Sequence, residues 1–290
     1  MKTMTAADVR PAPGRPSFSE YVEIDAINWS TLKHMRKSPL HYHHALLHRR
    51  ADTSFFAKGR AIHAMVFEPD TVVRDFAVFD GPRRAGKAWD AFEEENAGKT
   101  ILKRDEFDAC FEAALAVRSN PLAAQYLREG VFESTIQWTD RETGLACKGR
   151  LDWLSSAPPV ILDLKSLADA EMRALQQATA RHDYHCQLAF YRRGCRALGL
   201  PVERVVMVWI ERDAPHDVTV TTLDEDSLYL GDEEVTELLR RVAQCRETGQ
   251  WPGRYQQEQL LSLPTWRFED DETDATGLDL VVNGRALNGE

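Results

Sequence analysis

The chain has 290 residues, a hydrophobic fraction of 43% and a formal net charge of −10 at pH 7. This length and composition are typical of a globular protein with a sizeable core. The acidic charge argues against a protein that coats nucleic acid non-specifically, because such binding needs many Lys and Arg contacts with phosphates. A local basic channel for nucleic acid is still compatible with it.

The sequence shows no pattern of a membrane span or a signal peptide, and its cysteines form no recognisable motif. No stretch approaches the ~18 uninterrupted apolar residues of a membrane span, and the N-terminus lacks the pattern of a signal peptide. The five cysteines are scattered without a CxxC pair, which favours reduced, buried thiols over a disulfide framework or zinc ribbon. We therefore expect a cytoplasmic protein that does not contact a membrane.

The first third of the chain is predicted to be helical. Residues 1–18 are rich in Pro and small residues and are expected to be disordered or extended. Ser30 is the predicted N-cap of a basic helix that ends at Pro39. Apolar spacing predicts further helices over 41–50, 56–67 and 105–117, with a helical turn after Asn120 and a strand over 76–79.

Beyond Gly130 the apolar period changes from helical to two. The pattern predicts strands over 131–139, 145–154 and 160–164, helices over 168–180 and 182–198, strands over 205–211 and 217–222, and a long helix within 223–248. No flexible linker divides the chain. We therefore predict one α/β domain over 19–268 with an N-terminal helical portion, followed by an acidic tail over 269–290.

The segment "VILDLKS" places an acid and a base, Asp163 and Lys165, at the end of an apolar run. Strand side chains alternate between faces, so these two point the same way. An uncompensated charge is costly in such a place. The two residues therefore either neutralise one another or bind something.

Asp152 lies near the end of the preceding strand, within "KGRLD". If the two strands pair as a hairpin, the Asp152 and Asp163 carboxylates converge beside Lys165. Two close carboxylates repel unless a cation lies between them, and hard oxygen ligands suit Mg²⁺ or Mn²⁺. The lysine would then face a metal-bound water.

This Asp…Asp-x-Lys arrangement resembles the PD-(D/E)XK nuclease superfamily, although alone it is equally compatible with a surface ion pair worth under about 1 kcal/mol. Gln187 and Tyr191 lie four residues apart, hence on one helix face. His63 lies on an otherwise apolar helix, where a core or boundary histidine is the default interpretation.

The order Gly-x-x-x-His, Gly-Arg-x-Asp, Asp-x-Lys-Ser, Gln-x-x-x-Tyr resembles the RecB-like branch of this superfamily. Segments such as "AINWSTLKHMRKSPLHYHHAL", "KGRAIHAMVFEPD", "FESTIQWTDRETGLACKGRLDWL" and "GQWPGRY" are similar to the exodeoxyribonuclease VIII (RecE-type) nuclease domain of phage and prophage origin. The resemblance implies an α/β fold with a mixed central β-sheet flanked by helices. It implies Mg²⁺, with Mn²⁺ as a substitute, and 5′-to-3′ degradation of linear double-stranded DNA. A RecT-type annealing partner and a homo-oligomer are expected with it.

The resemblance also implies a metal site formed by His63, Asp152, Asp163 and the backbone carbonyl of Leu164. Lys165 would orient a water and stabilise charge rather than act as a base, since the flanking carboxylates oppose a lowered lysine pKa.

Three further residues have implied roles in catalysis. Gln187 would position the DNA strand or Lys165, and Tyr191 would contact a terminal phosphate or stack on a base. Glu133 matches a family acid on the first core strand, where it approaches a second metal, holds Lys165 or simply points outward.

Candidate DNA contacts are Arg83, Arg84 and Lys87, each of which could equally belong to a solvated loop. Ser166 either binds a phosphate or caps the next helix, and the cap is favoured.

Three other functions are compatible with the sequence. They are a PD-(D/E)XK endonuclease, a non-catalytic DNA-binding recombination scaffold, and a zinc protein with His41, His43, His44 and His48 as ligands. No cysteine lies near these histidines, so a solvated helix face is the favoured interpretation of them.

Overall fold

The computed structural model describes residues 18–48, 54–265 and 267. Nearly all of the predicted extended N-terminus and the whole predicted acidic tail lie outside these residues. In the described part of the chain, no helix is both long enough and apolar enough to cross a bilayer. All five cysteines are buried and free of disulfides, and burial raises the pKa of Cys147 and Cys195 to about 12.

The described helices are α1 (Phe18–Glu23), α2 (Trp29–Leu32), α3 (Pro39–Leu47), α4 (Ser54–Phe67), α5 (Val72–Asp75), α6 (Lys87–Glu95), α7 (Arg104–Ser119), α8 (Pro121–Tyr126), α9 (Met172–Arg181), α10 (Tyr184–Ala197) and α11 (Glu225–Thr248). Short 3-10 turns occupy Lys33–Arg36 and Pro69–Thr71. The strands are β1 (Phe76–Phe79), β2 (Thr100–Lys103), β3 (Val131–Thr139), β4 (Ala146–Ser156), β5 (Pro159–Leu167), β6 (Arg204–Glu211) and β7 (Val218–Thr222).

The central sheet has the order β3-β4-β5-β6-β7. Its neighbours are antiparallel except β5 and β6, which run parallel and are joined through α9 and α10. A parallel pair needs a long crossover of this kind, whereas the antiparallel pairs need only turns. The predicted α/β fold with a mixed sheet flanked by helices is confirmed. Strands β1 and β2 form a separate parallel pair.

Hydrophobic side chains on both faces of the central sheet pack against helices, so the fold has three layers. On one face Ile161 and Met207 pack with Phe190 of α10 and Leu239 of α11. On the other face, Leu162, Leu164 and Val208 pack with residues of α4 and α7 such as Ile62 and Val117. The predicted strand alternation therefore separates two helical layers, and Asp163 and Lys165 fall on the α10 side.

The β3–β4 ladder is distorted where Glu133 lies opposite Asp152. Phe132 pairs with Trp153 and Ser134 with Leu151, but the pair between them is missing and Glu133 has a φ of 45°. Leu151 joins the α10 cluster while Trp153 joins the α4 cluster, so the side-chain alternation breaks at Asp152. Left-handed backbone at a non-glycine residue costs about 1–3 kcal/mol and is common at functional sites.

Two predicted helix caps are wrong. Asn28, not Ser30, caps α2, because the Asn28 side chain accepts a hydrogen bond from the Thr31 amide at 2.9 Å. Ser166 does not cap the next helix, since pairing with β6 extends β5 to Leu167 and the N-cap of α9 is Glu171.

Candidate active site

Asp152 occupies the point where the β4–β5 hairpin opens. The ladder pairs run from Ser156 opposite Pro159 to Trp153 opposite Leu162 and stop there. At the next position the Leu164 amide donates to Asp152 Oδ2 at 2.9 Å. A side-chain oxygen thus takes the place of a backbone acceptor, which holds the Asp152 carboxylate beside β5.

His63 reaches the same point from α4. Its neighbours Ile62, Met65 and Val66 are buried against the sheet, which fixes the helix and turns His63 toward the open end of the hairpin. Nε2 of His63 lies 3.1 Å from the Leu164 carbonyl oxygen, and Nδ1 lies 3.6 Å from Asp152 Oδ2. Three of the four predicted metal donors, His63, Asp152 and the Leu164 carbonyl, therefore meet.

Asp163 and Lys165 contact each other directly on the α10 face. Asp163 is 2% exposed, and burial raises its pKa to about 6 while the Lys165 ammonium opposes this shift. Burial also lowers the pKa of Lys165, but the carboxylates of Asp163 and Asp152 outweigh it and the lysine pKa is raised overall. Lys165 is therefore a cation at neutral pH, as expected for a residue that stabilises charge rather than abstracts a proton.

The carboxyl of Asp163 is turned toward Lys165 rather than into the His63–Asp152 group. Among the described residues, the ligand atoms of His63, Asp152 and Asp163 do not all lie within 4.8 Å of one another. Imidazole, carboxylate and carbonyl donors nevertheless form a set that suits Mg²⁺ or Mn²⁺. The residues fit such an ion if Asp163 rotates away from its lysine.

A different group, His185, Cys186 and Glu234, has its potential ligand atoms within 4.8 Å of one another. The guanidinium of Arg36 already lies among them, donating to Cys186 Sγ at 3.2 Å and contacting Glu234. It also contacts Asp183. This cation satisfies the carboxylates, so we interpret the group as an ion network that ties the N-terminal helices to α10 and α11.

Helix α10 presents Tyr184, Gln187 and Tyr191 to this side of the sheet. The Lys165 ammonium lies 4.9 Å from the centre of the Tyr184 ring, a cation–π contact. Gln187 Nε2 donates to the Tyr191 hydroxyl at 3.1 Å. Sequence reasoning missed Tyr184, although it shares a helix face with Gln187 and Tyr191 at spacings of three and seven.

The glycine of the Gly-Arg-x-Asp motif supports the Tyr191 ring. A Cβ at Gly149 would lie 2.9 Å from Tyr191 Cδ1, which is closer than such contacts allow. Tyr191 is 9% exposed, so its ring has little room to move.

Replacing Gly149 by Ala should therefore displace Tyr191 together with Gln187. We expect a loss of about 1–3 kcal/mol in the free energy of unfolding, as for other overpacked sites, measured by urea denaturation. Gly59→Ala in α4 is the matched control, because nothing lies within 4 Å of its added Cβ and helix propensity favours Ala by roughly 0.5–1 kcal/mol. A stable Gly149→Ala protein would contradict the tight contact.

Glu133 lies opposite Asp152 but forms an ion pair with Arg150 rather than with Lys165. Glu133 is thus the neighbour of Asp152 across the β3–β4 pair, and its ion-pair partner Arg150 belongs to the same Gly-Arg-x-Asp motif as Asp152. No role was predicted for Arg150, although it is the Arg of the Gly-Arg-x-Asp motif.

The predicted DNA contacts differ in their surroundings. Arg83, Arg84 and Lys87 are exposed. Arg84 is engaged with Glu106 and packs over Trp89 at 6.0 Å, so part of its charge is compensated within the protein. Ser166 is half-buried within β5.

The four histidines considered for zinc do not gather. His41 bonds Ser38, His43 stacks on Trp251, and His44 stacks on His48. No metal-binding group among the described residues includes any of them.

Comparison with known proteins gives the same fold. A crystal structure of a protein from Eubacterium rectale, provisionally described as an exonuclease, superposes with a TM-score of 0.58 at 13% identity and covers 90% of this chain and 97% of that one. The structure of SSO0001 matches with a TM-score of 0.27 at 13% identity over 65% of this chain and 87% of that one, which is too low to indicate a shared fold. None of the curated proteins compared with the chain matches it.

One family covers most of the sequence. Residues 28–262 match the PDDEXK-like domain of unknown function, DUF3799. This range contains every residue of the proposed site, from His63 to Tyr191. The chain therefore belongs to the PDDEXK-like DUF3799 family.

Proposed function

We propose that this protein is a divalent-metal-dependent exonuclease that degrades linear double-stranded DNA. The observation that carries the proposal is the meeting of His63, Asp152 and the Leu164 carbonyl at the open end of a hairpin, next to buried Asp163 and its partner Lys165. PDDEXK-like family membership and the fold shared with the Eubacterium rectale protein support it.

His63, Asp152, Asp163 and the Leu164 carbonyl would hold one Mg²⁺, for which Mn²⁺ would substitute. When bound, such an ion polarises a phosphodiester and lowers the pKa of its water. Lys165, protonated and held against the Tyr184 ring, supplies positive charge beside the reacting phosphate. It would orient the attacking water rather than take its proton.

Gln187 and Tyr191 act together in this proposal. Their mutual hydrogen bond and the close contact of Tyr191 with Gly149 fix both side chains on the face that carries Lys165. Gln187 would position the DNA strand, and Tyr191 would hold the Gln187 side chain in place through their hydrogen bond. Glu133, paired with Arg150, would set the position of the strand segment that bears Asp152.

Binding of DNA would depend on local basic groups, because the chain as a whole is acidic. Arg83 and Lys87 are exposed near the start of α6 and are proposed to contact phosphates. Ser166, at the end of β5, would donate a hydrogen bond to a phosphate oxygen.

The finer features of the proposal rest on the sequence resemblance to the RecE-type nuclease domain. They are a 5′-to-3′ direction, a 3′ single strand left for a RecT-type annealing partner, a homo-oligomeric enzyme and a role in recombination in the cytoplasm.

Purified protein should degrade end-labelled linear duplex in Mg²⁺ or Mn²⁺, and EDTA should abolish this. Covalently closed circular duplex should persist, and blocking the 5′ ends rather than the 3′ ends with phosphorothioates should slow the reaction. Cleavage of the circle would identify an endonuclease. Retention of DNA without cleavage in either metal would indicate a binding scaffold instead.

A further inference from the structure

A cavity of about 270 Å³ lies between the N-terminal helices and α10. Its walls include four aromatic rings, those of Tyr21, Trp29, Tyr184 and Tyr191. None of the predicted functions assigned a role to Tyr21 or Trp29.

Three of these rings are held in place by contacts from the sheet. The Lys148 ammonium lies 4.7 Å from the centre of the Tyr21 ring and also donates to the Tyr21 carbonyl at 2.7 Å. Tyr191 lies against Gly149, and Tyr184 lies against Lys165. The cavity is therefore preorganised rather than formed by mobile side chains.

The polar groups of the cavity suit a flat ligand with hydrogen-bonding edges. The side chains of Asn28 and Gln187 line it and carry amides. The Asn28 oxygen caps α2 and the Gln187 amino group donates to Tyr191, so the Asn28 amino group and the Gln187 oxygen are the donor and acceptor for a ligand. Lys33 adds a basic group to the lining. Aromatic faces stack on any nucleobase, while amides bond to base edges.

The cavity adjoins the proposed reaction centre, because Tyr184 and Gln187 belong to both. Its volume lies just below the roughly 300–1,000 Å³ of pockets that hold drug-sized ligands. A single nucleobase is small enough to enter this space.

We propose that this cavity receives a single unpaired nucleobase of the strand being hydrolysed, next to the reacting phosphate. This inference rests on the proposed nuclease function and adds a requirement to it. A duplex end must fray by at least one nucleotide before its phosphate reaches Lys165.

The test is calorimetric binding in EDTA, so that neither metal nor hydrolysis is needed. The probes are thymidine 5′-monophosphate and deoxyribose 5-phosphate, which lacks the base. We expect the nucleotide to bind roughly tenfold more tightly, the effect of one stacked base. Equal affinities, or no detectable binding of the nucleotide, would overturn the proposal.

Ser30→Trp provides a second test, because exposed Ser30 lies on the rim of the cavity and a large side chain there should fill it. The variant should lose the preference for the nucleotide, whereas Ser262→Trp at an exposed position outside the lining should keep it. Nucleotide binding that survives Ser30→Trp in a folded protein would also refute the cavity as the site. Base-dependent binding without any nuclease activity would refute the proposed function alone, and the reverse result would refute only this cavity.

Discussion

Replacing Asp163 by Asn should lower Mg²⁺-dependent degradation of linear duplex DNA by at least about 10²-fold. Loss of groups that merely support metal ligands already costs 10–100-fold, and this change removes the negative charge that both the ion and Lys165 require. Lys165→Ala should have an effect of similar size, about 10²–10³-fold, because a positive charge aimed at the reacting phosphate is lost. Rates of release of end label measure both effects.

Asp70→Asn is the matched control, since Asp70 is an exposed carboxylate of the 3-10 turn Pro69–Thr71 and has no role in the proposed site. It should retain wild-type activity. Thermal unfolding of all three variants establishes that they are folded. Full activity of either Asp163→Asn or Lys165→Ala would contradict the proposed site.

Replacing Asp140 by Ala should lower the free energy of unfolding by about 3–5 kcal/mol, the typical cost of breaking a buried ion pair. Asp140 is 3% exposed and accepts hydrogen bonds from Arg193 at 3.0 Å and from the Thr143 hydroxyl at 2.7 Å. Arg193 is also bonded to Asp232 of α11 at 2.9 Å. The change would leave a partly buried guanidinium short of one acceptor, and urea denaturation measures the loss.

Glu142, in the same turn, is the control for Asp140. It is exposed and pairs with Arg240, which is also exposed. Glu142→Ala should cost less than about 1 kcal/mol. Equal losses from the two substitutions would show that burial does not decide the strength of these pairs.

The stabilisation by Asp140 should depend on pH. Burial raises the pKa of Asp140, but the hydrogen bonds from Thr143 and Arg193 outweigh it and the pKa is lowered overall. The stabilisation is therefore complete above the unfolded pKa of about 4 and is lost as the pH falls through the lower folded pKa. The difference in free energy of unfolding between wild type and Asp140→Asn should therefore become smaller at acidic pH.

The strands were largely predictable from the sequence, because a period of two reports burial on a sheet directly. The predicted bounds of β1 and β3 match the structure, and β4, β6 and β7 differ by one or two residues at their ends. Pairing with β6 extends β5 to Leu167 and delays α9 to Met172. That extension depends on a strand some 40 residues away, so local pattern could not reveal it. The short strand β2 and helix α6 were not predicted.

The candidate site was predictable in its residue types and less so in its contacts. The order of the motifs predicts that His63 and Asp152 belong to one site, and in the structure His63 Nδ1 lies 3.6 Å from Asp152 Oδ2. The sequence leaves two interpretations of Asp163 and Lys165 open, mutual neutralisation and ligand binding, and in the structure the two side chains contact each other. The ion pair of Glu133 with Arg150 and the ring contact of Tyr184 with Lys165 depend on side-chain directions that spacing does not fix.

Asp152 links the integrity of the sheet to the chemistry of the site. Its carboxylate takes the place of a missing backbone hydrogen bond between β4 and β5. Asp152→Ala would therefore leave the Leu164 amide without that acceptor and would also remove a proposed metal ligand. Asp152→Asn keeps an oxygen for the amide and removes only the charge. Asp152 therefore has a structural task in the hairpin that an apolar residue cannot perform, in addition to its proposed task as a ligand.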